Sequence, residues 1–86
     1  MTVNSELYLR RLTVDEALYK LDHYLNTAFL ANLHSIRIIH GKGTGLLCQV
    51  IRMELKSHPL VESFRPGDYG EGGAGVTIVK LASQQP

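Results

Sequence analysis

Eighty-six residues suffice for one domain with one core, and 44% hydrophobic with 20% charged residues is an ordinary globular balance. No apolar run is long enough to read as a signal peptide or a membrane span, so no membrane role is expected. A formal net charge of +1 excludes a polybasic binder that works by bulk electrostatics, and a single cysteine, Cys48, excludes an internal disulfide and suits a reducing, cytoplasmic setting.

Along the chain, Glu6–Arg10 alternates, with Leu7 and Leu9 on one side and Tyr8 and Arg10 on the other, which predicts a half-buried strand. Thr13 and Glu16 form a capping box that opens a helix. Val14, Ala17, Leu18, Leu21, Leu25 and Ala28 carry the helix at regular spacing to about Ala31, and Asn32 is suited to a left-handed stop. Isoleucine-rich Ser35–His40 reads as a second strand. After "GKGTG" a second helix places Leu47, Val50, Ile51 and Leu55 on one face and ends at His58-Pro59, because the residue before proline is driven out of helical geometry. Leu60–Arg65 is the third strand. The glycine-rich Pro66–Ala74 is expected to be a loop without regular structure, Val76–Leu81 the last strand, and Ser83–Pro86 a frayed tail.

The order β-α-β-α-β-β, in a single α/β domain with its core at about residues 6–81, predicts a two-layer sandwich. Two right-handed crossovers put both helices on one face of a four-stranded mixed sheet, the first three strands parallel and the last antiparallel to the third. The carboxyl ends of the parallel strands, the amino ends of both helices and the glycine-rich loop then share one rim, where open α/β sheets bind ligands. Arg10 and Arg11, the segment His40–Gly45 and the segment Arg65–Ala74 gather there. Gly41, Gly43 and Gly45 allow positive φ and close backbone approach, the second helix start favours an anion, and Lys42 and Arg10 could hold phosphate oxygens. The pattern is neither a Walker loop nor a dinucleotide fingerprint, and as a pattern alone it suits a tight turn as well as an anion site.

The stretches "RIIHGKGTG", "HP", "FR" and "GEGGAGVTIVKL" resemble the Smr (small MutS-related) domain family, in the form found at the C-terminus of the second bacterial MutS paralogue. The resemblance covers Glu6 to Leu81 and implies the same two-layer fold. It implies nucleic-acid binding, with structure-directed cleavage of DNA or RNA in several members, and for the longer paralogues roles in suppressing recombination, DNA repair at branched structures and ribosome rescue. It also implies that the chain is the C-terminal part of a larger protein, dimeric through other domains. His40-Gly41-Lys42-Gly43 matches the family's H-G-x-G loop in full. The family's L-D-L-[HR]-G strand motif is met by Leu7-Tyr8-Leu9-Arg10-Arg11, with Tyr8 in the place of aspartate and Arg11 in the place of glycine.

With that resemblance, His40 is the candidate catalytic residue, read as an exposed imidazole able to carry a proton, and Glu71 its nearest carboxylate partner; Asp68 carries the same argument with less weight. Arg10, Arg11, Gly41, Lys42, Gly43, Thr44 and Gly45 are the candidate nucleic-acid contacts, with Tyr69 at the loop tip as a stacking aromatic. Asp15 and Glu16 are first-turn helix charges, Arg37 and Arg52 solvent-facing charges, and Cys48 a packed residue. His23, His34 and His58 have no ligand partner at metal spacing, so no metal site is expected. No cofactor is expected in the domain; if it cleaves, little or only loose magnesium dependence is expected, and ATP belongs to the larger protein.

Two functions fit these residues. One is a module that binds branched or structured DNA, or RNA, through phosphates on the "HGKGTG" amides. The other is a nicking endonuclease on the same platform, weakened by Tyr8, with His40 and Glu71 moving protons and Arg10 and Lys42 stabilising charge. A protein- or ribosome-interaction domain without nuclease activity is the alternative, distinguished by little salt dependence toward free nucleic acid.

Overall fold

In the computed structural model, residues 3–84 are described. The elements run β1 (Glu6–Tyr8), α1 (Val14–Leu30), β2 (Ser35–Ile39), α2 (Leu46–Ser57), β3 (Val61–Pro66) and β4 (Val76–Leu81), in the expected order. The sheet order is β1-β2-β4-β3, with β1 and β2 parallel and β4 antiparallel to both of its neighbours. The first three strands therefore point one way. The α2 crossover skips a place, and β4 fills it. The strand burials agree with that order: β4 is buried along most of its length, whereas no residue of β3 is fully buried and the strand ends at Pro66, as an edge strand tolerates.

Both helices lie on one face. Ala17, Leu21, Leu25 and Ala28 of α1 and Ile51 and Leu55 of α2 pack with Leu9, Ile36, Ile38, Val79 and Leu81 in a single core. The capping box is present, Thr13 Oγ1 accepting from the Glu16 amide at 3.2 Å and Glu16 accepting from the Thr13 amide at 3.0 Å. Asn32 takes φ +63 and ends α1 as expected. His58 lies at the helix boundary and joins the two helices, its Nε2 2.9 Å from Asp22 Oδ1 and its Nδ1 accepting from the Leu60 amide at 3.2 Å.

Three expectations change. The first strand stops at Tyr8 rather than Arg10, because the chain turns left-handed at Arg11 (φ +65), although the Leu9 amide still donates to the Ile39 carbonyl at 2.9 Å. The segment Pro66–Ala74 is not irregular: it holds two short 3₁₀ turns, Tyr69–Glu71 and Gly73–Gly75. The first is held by the Glu71 carboxylate, which accepts from the Asp68 amide at 2.8 Å. The expected frayed tail lies partly outside the described residues, but within them Gln84 Nε2 donates to Asn32 Oδ1 at 3.0 Å, so the chain is pinned to the end of α1.

Candidate nucleic-acid interface

The glycine segment after β2 and the one before β4 meet backbone to backbone. The amides of His40 and Gly41 both donate to the Gly75 carbonyl, at 3.1 and 2.9 Å. A Cβ built on Gly75 would lie 3.5 Å from the Gly41 backbone. Gly72 has φ +109, and a Cβ there would come within 2.5 Å of Val76 Cγ2, so no side chain fits without movement. The two glycine motifs thus form one rim.

Not every amide of "HGKGTG" is available to a ligand. That of Gly41 is used by Gly75 and that of Gly45 donates to the Lys42 carbonyl at 3.0 Å. Among the described residues, the amides of Lys42, Gly43 and Thr44 have no hydrogen-bond partner within the chain, and these three residues are exposed. Arg10 lies across Gly41: a Cβ on that glycine would meet Arg10 Nε at 3.4 Å and Cγ at 3.5 Å. Arg10 is thereby brought to the loop from the neighbouring strand.

His40 is not exposed; only 4% of its surface is accessible. The alternation of β2 explains it, since Ile36 and Ile38 face the helices and His40 is next on that face. Its Nδ1 is 2.9 Å from the Gly41 carbonyl, which can only accept, so Nδ1 carries the proton. Its Nε2, 2.8 Å from Thr77 Oγ1, is then the acceptor. Thr77, itself fully buried, receives Arg52 Nε–H at 3.1 Å. Donation therefore runs in one direction, from Arg52 to Thr77 to His40 to Gly41, and satisfies a neutral imidazole in a single tautomer. Burial, joined by the nearby Arg52 charge, lowers the His40 pKa below its ordinary 6.5, against the opposing pull of the Gly41 carbonyl. His40 anchors the loop to the core.

The pairing of His40 with Glu71 is not formed. Glu71 holds Arg65 through two bonds, Oε1 to Nη1 at 2.7 Å and Oε2 to Nη2 at 2.8 Å. That guanidinium, with the Asp68 amide, lowers its pKa to about 2. Asp68 adds a looser contact to Arg65 at 3.6 Å. Tyr69 stands fully exposed on the first 3₁₀ turn.

Arg37 and Arg52 are not simple solvent charges. Arg37 pairs with Glu6, its cross-strand neighbour, and donates to the Glu71 carbonyl at 3.3 Å. Lys80 pairs with Glu62 at 3.3 Å. The charged strand residues Arg37, Arg65 and Lys80 are thus each matched by a carboxylate. Arg10, Arg11 and Lys42 on the rim, and Arg52 and Lys56 on α2, have no ion-pair partner among the described residues. Thr77 was missed from sequence, where Arg52 reads as a solvent-facing charge. Period-two alternation back from Leu81 and Val79 would have placed Thr77 inside; no local signal marks Arg52. The described residues hold no cluster of three His, Cys, Asp or Glu side chains able to ligate a metal.

The two-layer sandwich with its paired glycine rim defines a class of small α/β domain. The crystal structure of the Smr domain of Thermus thermophilus MutS2 superposes with a TM-score of 0.87 at 49% identity, covering 90% of this chain and 96% of that one. YdaL of Escherichia coli, a stand-alone small MutS-related protein, shares the fold at TM-score 0.87 and 24% identity over 92% of this chain and 65% of that one. The Smr domain family model matches residues 7–82, and the chain belongs to that family. It is 54% identical over 79 residues to Endonuclease MutS2 of Clostridium beijerinckii and 52% identical over 80 residues to that of Caldicellulosiruptor saccharolyticus. These matches cover 92% and 93% of this chain but 10% of each relative, so the chain spans about a tenth of the length of those proteins.

Proposed function

We propose that this domain is the nucleic-acid-binding module of a MutS-like protein and holds branched or single-stranded DNA by its phosphates on the rim. The observation that carries this reading is Arg10 laid over Gly41 beside the partnerless amides of Lys42, Gly43 and Thr44, while Arg37, Arg65 and Lys80 are charge-matched. Recognition is of shape, because phosphate contacts to backbone amides and to Arg10 fix position without carrying base sequence. The endonuclease activity in the relatives' name comes to this chain in a reduced form. His40, neutral and engaged at both nitrogens, positions the loop instead of carrying a proton, and Tyr8 fills the family's aspartate position.

The test is a binding titration on a four-way junction and a single strand, alongside nicking of supercoiled plasmid with and without magnesium. With three phosphates neutralised, affinity should fall roughly 20- to 40-fold between 50 and 200 mM salt. Arg10→Gln with Lys42→Gln should remove most of that dependence. Tyr8→Asp should raise nicking above wild type. Salt-independent binding would sink the nucleic-acid reading and leave protein interaction in its place.

A further inference from the structure

We infer that a strand held on the rim continues along α2, in a groove that takes single-stranded DNA; this rests on the nucleic-acid reading above. The groove is about 540 Å³ and begins at Thr44 and Gly45, where the glycine loop ends. Arg52 and Lys56 line it, Cys48, Met53 and Phe64 supply apolar surface, and no carboxylate lines it. Glu54, the one acid on α2, is not among the lining residues. Arg52 and Lys56, which have no ion-pair partner among the described residues, thus stand on one shallow face leading from the rim; Lys20, likewise without one, is on α1 and does not line it.

The chemistry favours a single strand. The twelve residues of α2 extend about 18 Å, the span of about five phosphates at the ~3.4 Å axial spacing of one stacked strand. Met53 is 67% exposed, and the half-buried Phe64 lines the same groove; apolar surface of this kind suits unpaired bases, whereas a duplex presents phosphates to such a face. DNA is the occupant because this strand continues the one held on the rim; Thr44 and Gln49 also line the groove and carry side-chain oxygens, so discrimination against a ribose hydroxyl is decided by comparison with oligo-rU. Arg52 Nε is committed to Thr77, which aims the outer nitrogens of the guanidinium as a fork for a phosphate. A phosphate on that fork would bear on the same chain of hydrogen bonds that anchors the loop.

The experiment is a salt series of anisotropy titrations with fluorescein-labelled oligo-dT of about 15 nucleotides, using wild type, Lys56→Gln, Lys42→Gln and Lys80→Gln. Amide chemical shifts are followed on the wild type. Lys56→Gln should reduce the slope of log affinity against log salt by about 0.7, one single-strand phosphate contact, as should Lys42→Gln. Lys80→Gln, paired with Glu62, should leave it unchanged. The amides from Cys48 to Lys56 should shift on titration. If only Lys42→Gln lowers the slope and α2 amides stay still, the strand does not follow α2 and the rim reading survives. If no variant alters the slope, both readings fail together. Equal affinity for oligo-rU would overturn the choice of DNA.

Discussion

Replacing Arg11 by glycine should make the domain more stable and a weaker binder of single strands. Arg11 holds φ +65, is exposed, and makes no hydrogen bond or ion pair among the described residues, so the substitution removes no contact. Left-handed backbone costs an L residue about 1–2 kcal/mol. The looser unfolded chain of a glycine offsets about 0.5–1 kcal/mol of that relief. The net gain lies between about 0 and 1.5 kcal/mol with its centre at about 0.75, equivalent there to a rise in Tm of roughly 3–6 °C for a domain of this size. Thermal and urea unfolding followed by far-UV circular dichroism would measure it, with Arg11→Ala as the control that loses the charge but keeps the strain. The same Arg11→Gly protein should lose about 0.7 from its single-strand salt slope. A Tm clearly below wild type would refute the strain argument. A raised Tm with an unchanged slope would mean that Arg11 touches no phosphate.

Two other outcomes follow from the buried hydrogen-bond chain. Thr77→Val keeps the shape but leaves His40 Nε2 and Arg52 Nε without their partner; it should cost about 1–3 kcal/mol in urea unfolding, with Thr77→Ser recovering much of the loss. Because the His40 pKa is lowered in the folded state, the unfolded chain takes up more protons as pH falls below 6.5. Stability should therefore be complete above pH 6.5 and decline as pH drops from there toward the folded value; in His40→Gln the decline should be shallower, and an unchanged profile would contradict it.

The reading from sequence and the structure agree most closely where the pattern is local. Thr13 with Glu16, the spacing of Ala17, Leu21, Leu25 and Ala28, and the isoleucines of β2 each specify an element through neighbours a few residues away. The rim was legible too, because parallel strands joined by right-handed crossovers leave their carboxyl ends on one side. The glycines marked it, although they could not say that Gly41 and Gly45 had already used their amides.

What escaped depends on residues far apart in the chain. His40 looked exposed because it borders a glycine turn, yet it is the next residue on the buried face of Ile36 and Ile38. Its partner Thr77 arrives from β4, and Arg52, which donates to Thr77, from α2. Glu71 seemed free in a glycine-rich loop, but Arg65 on the adjoining strand captures it. Helix caps and hydrophobic periods are written within a turn or two of chain, so the sequence alone determined the elements and the rim they share. Which histidine is buried, which carboxylate is taken and which cations are left unpaired are settled by contacts across the sheet, and only the tertiary structure decided them.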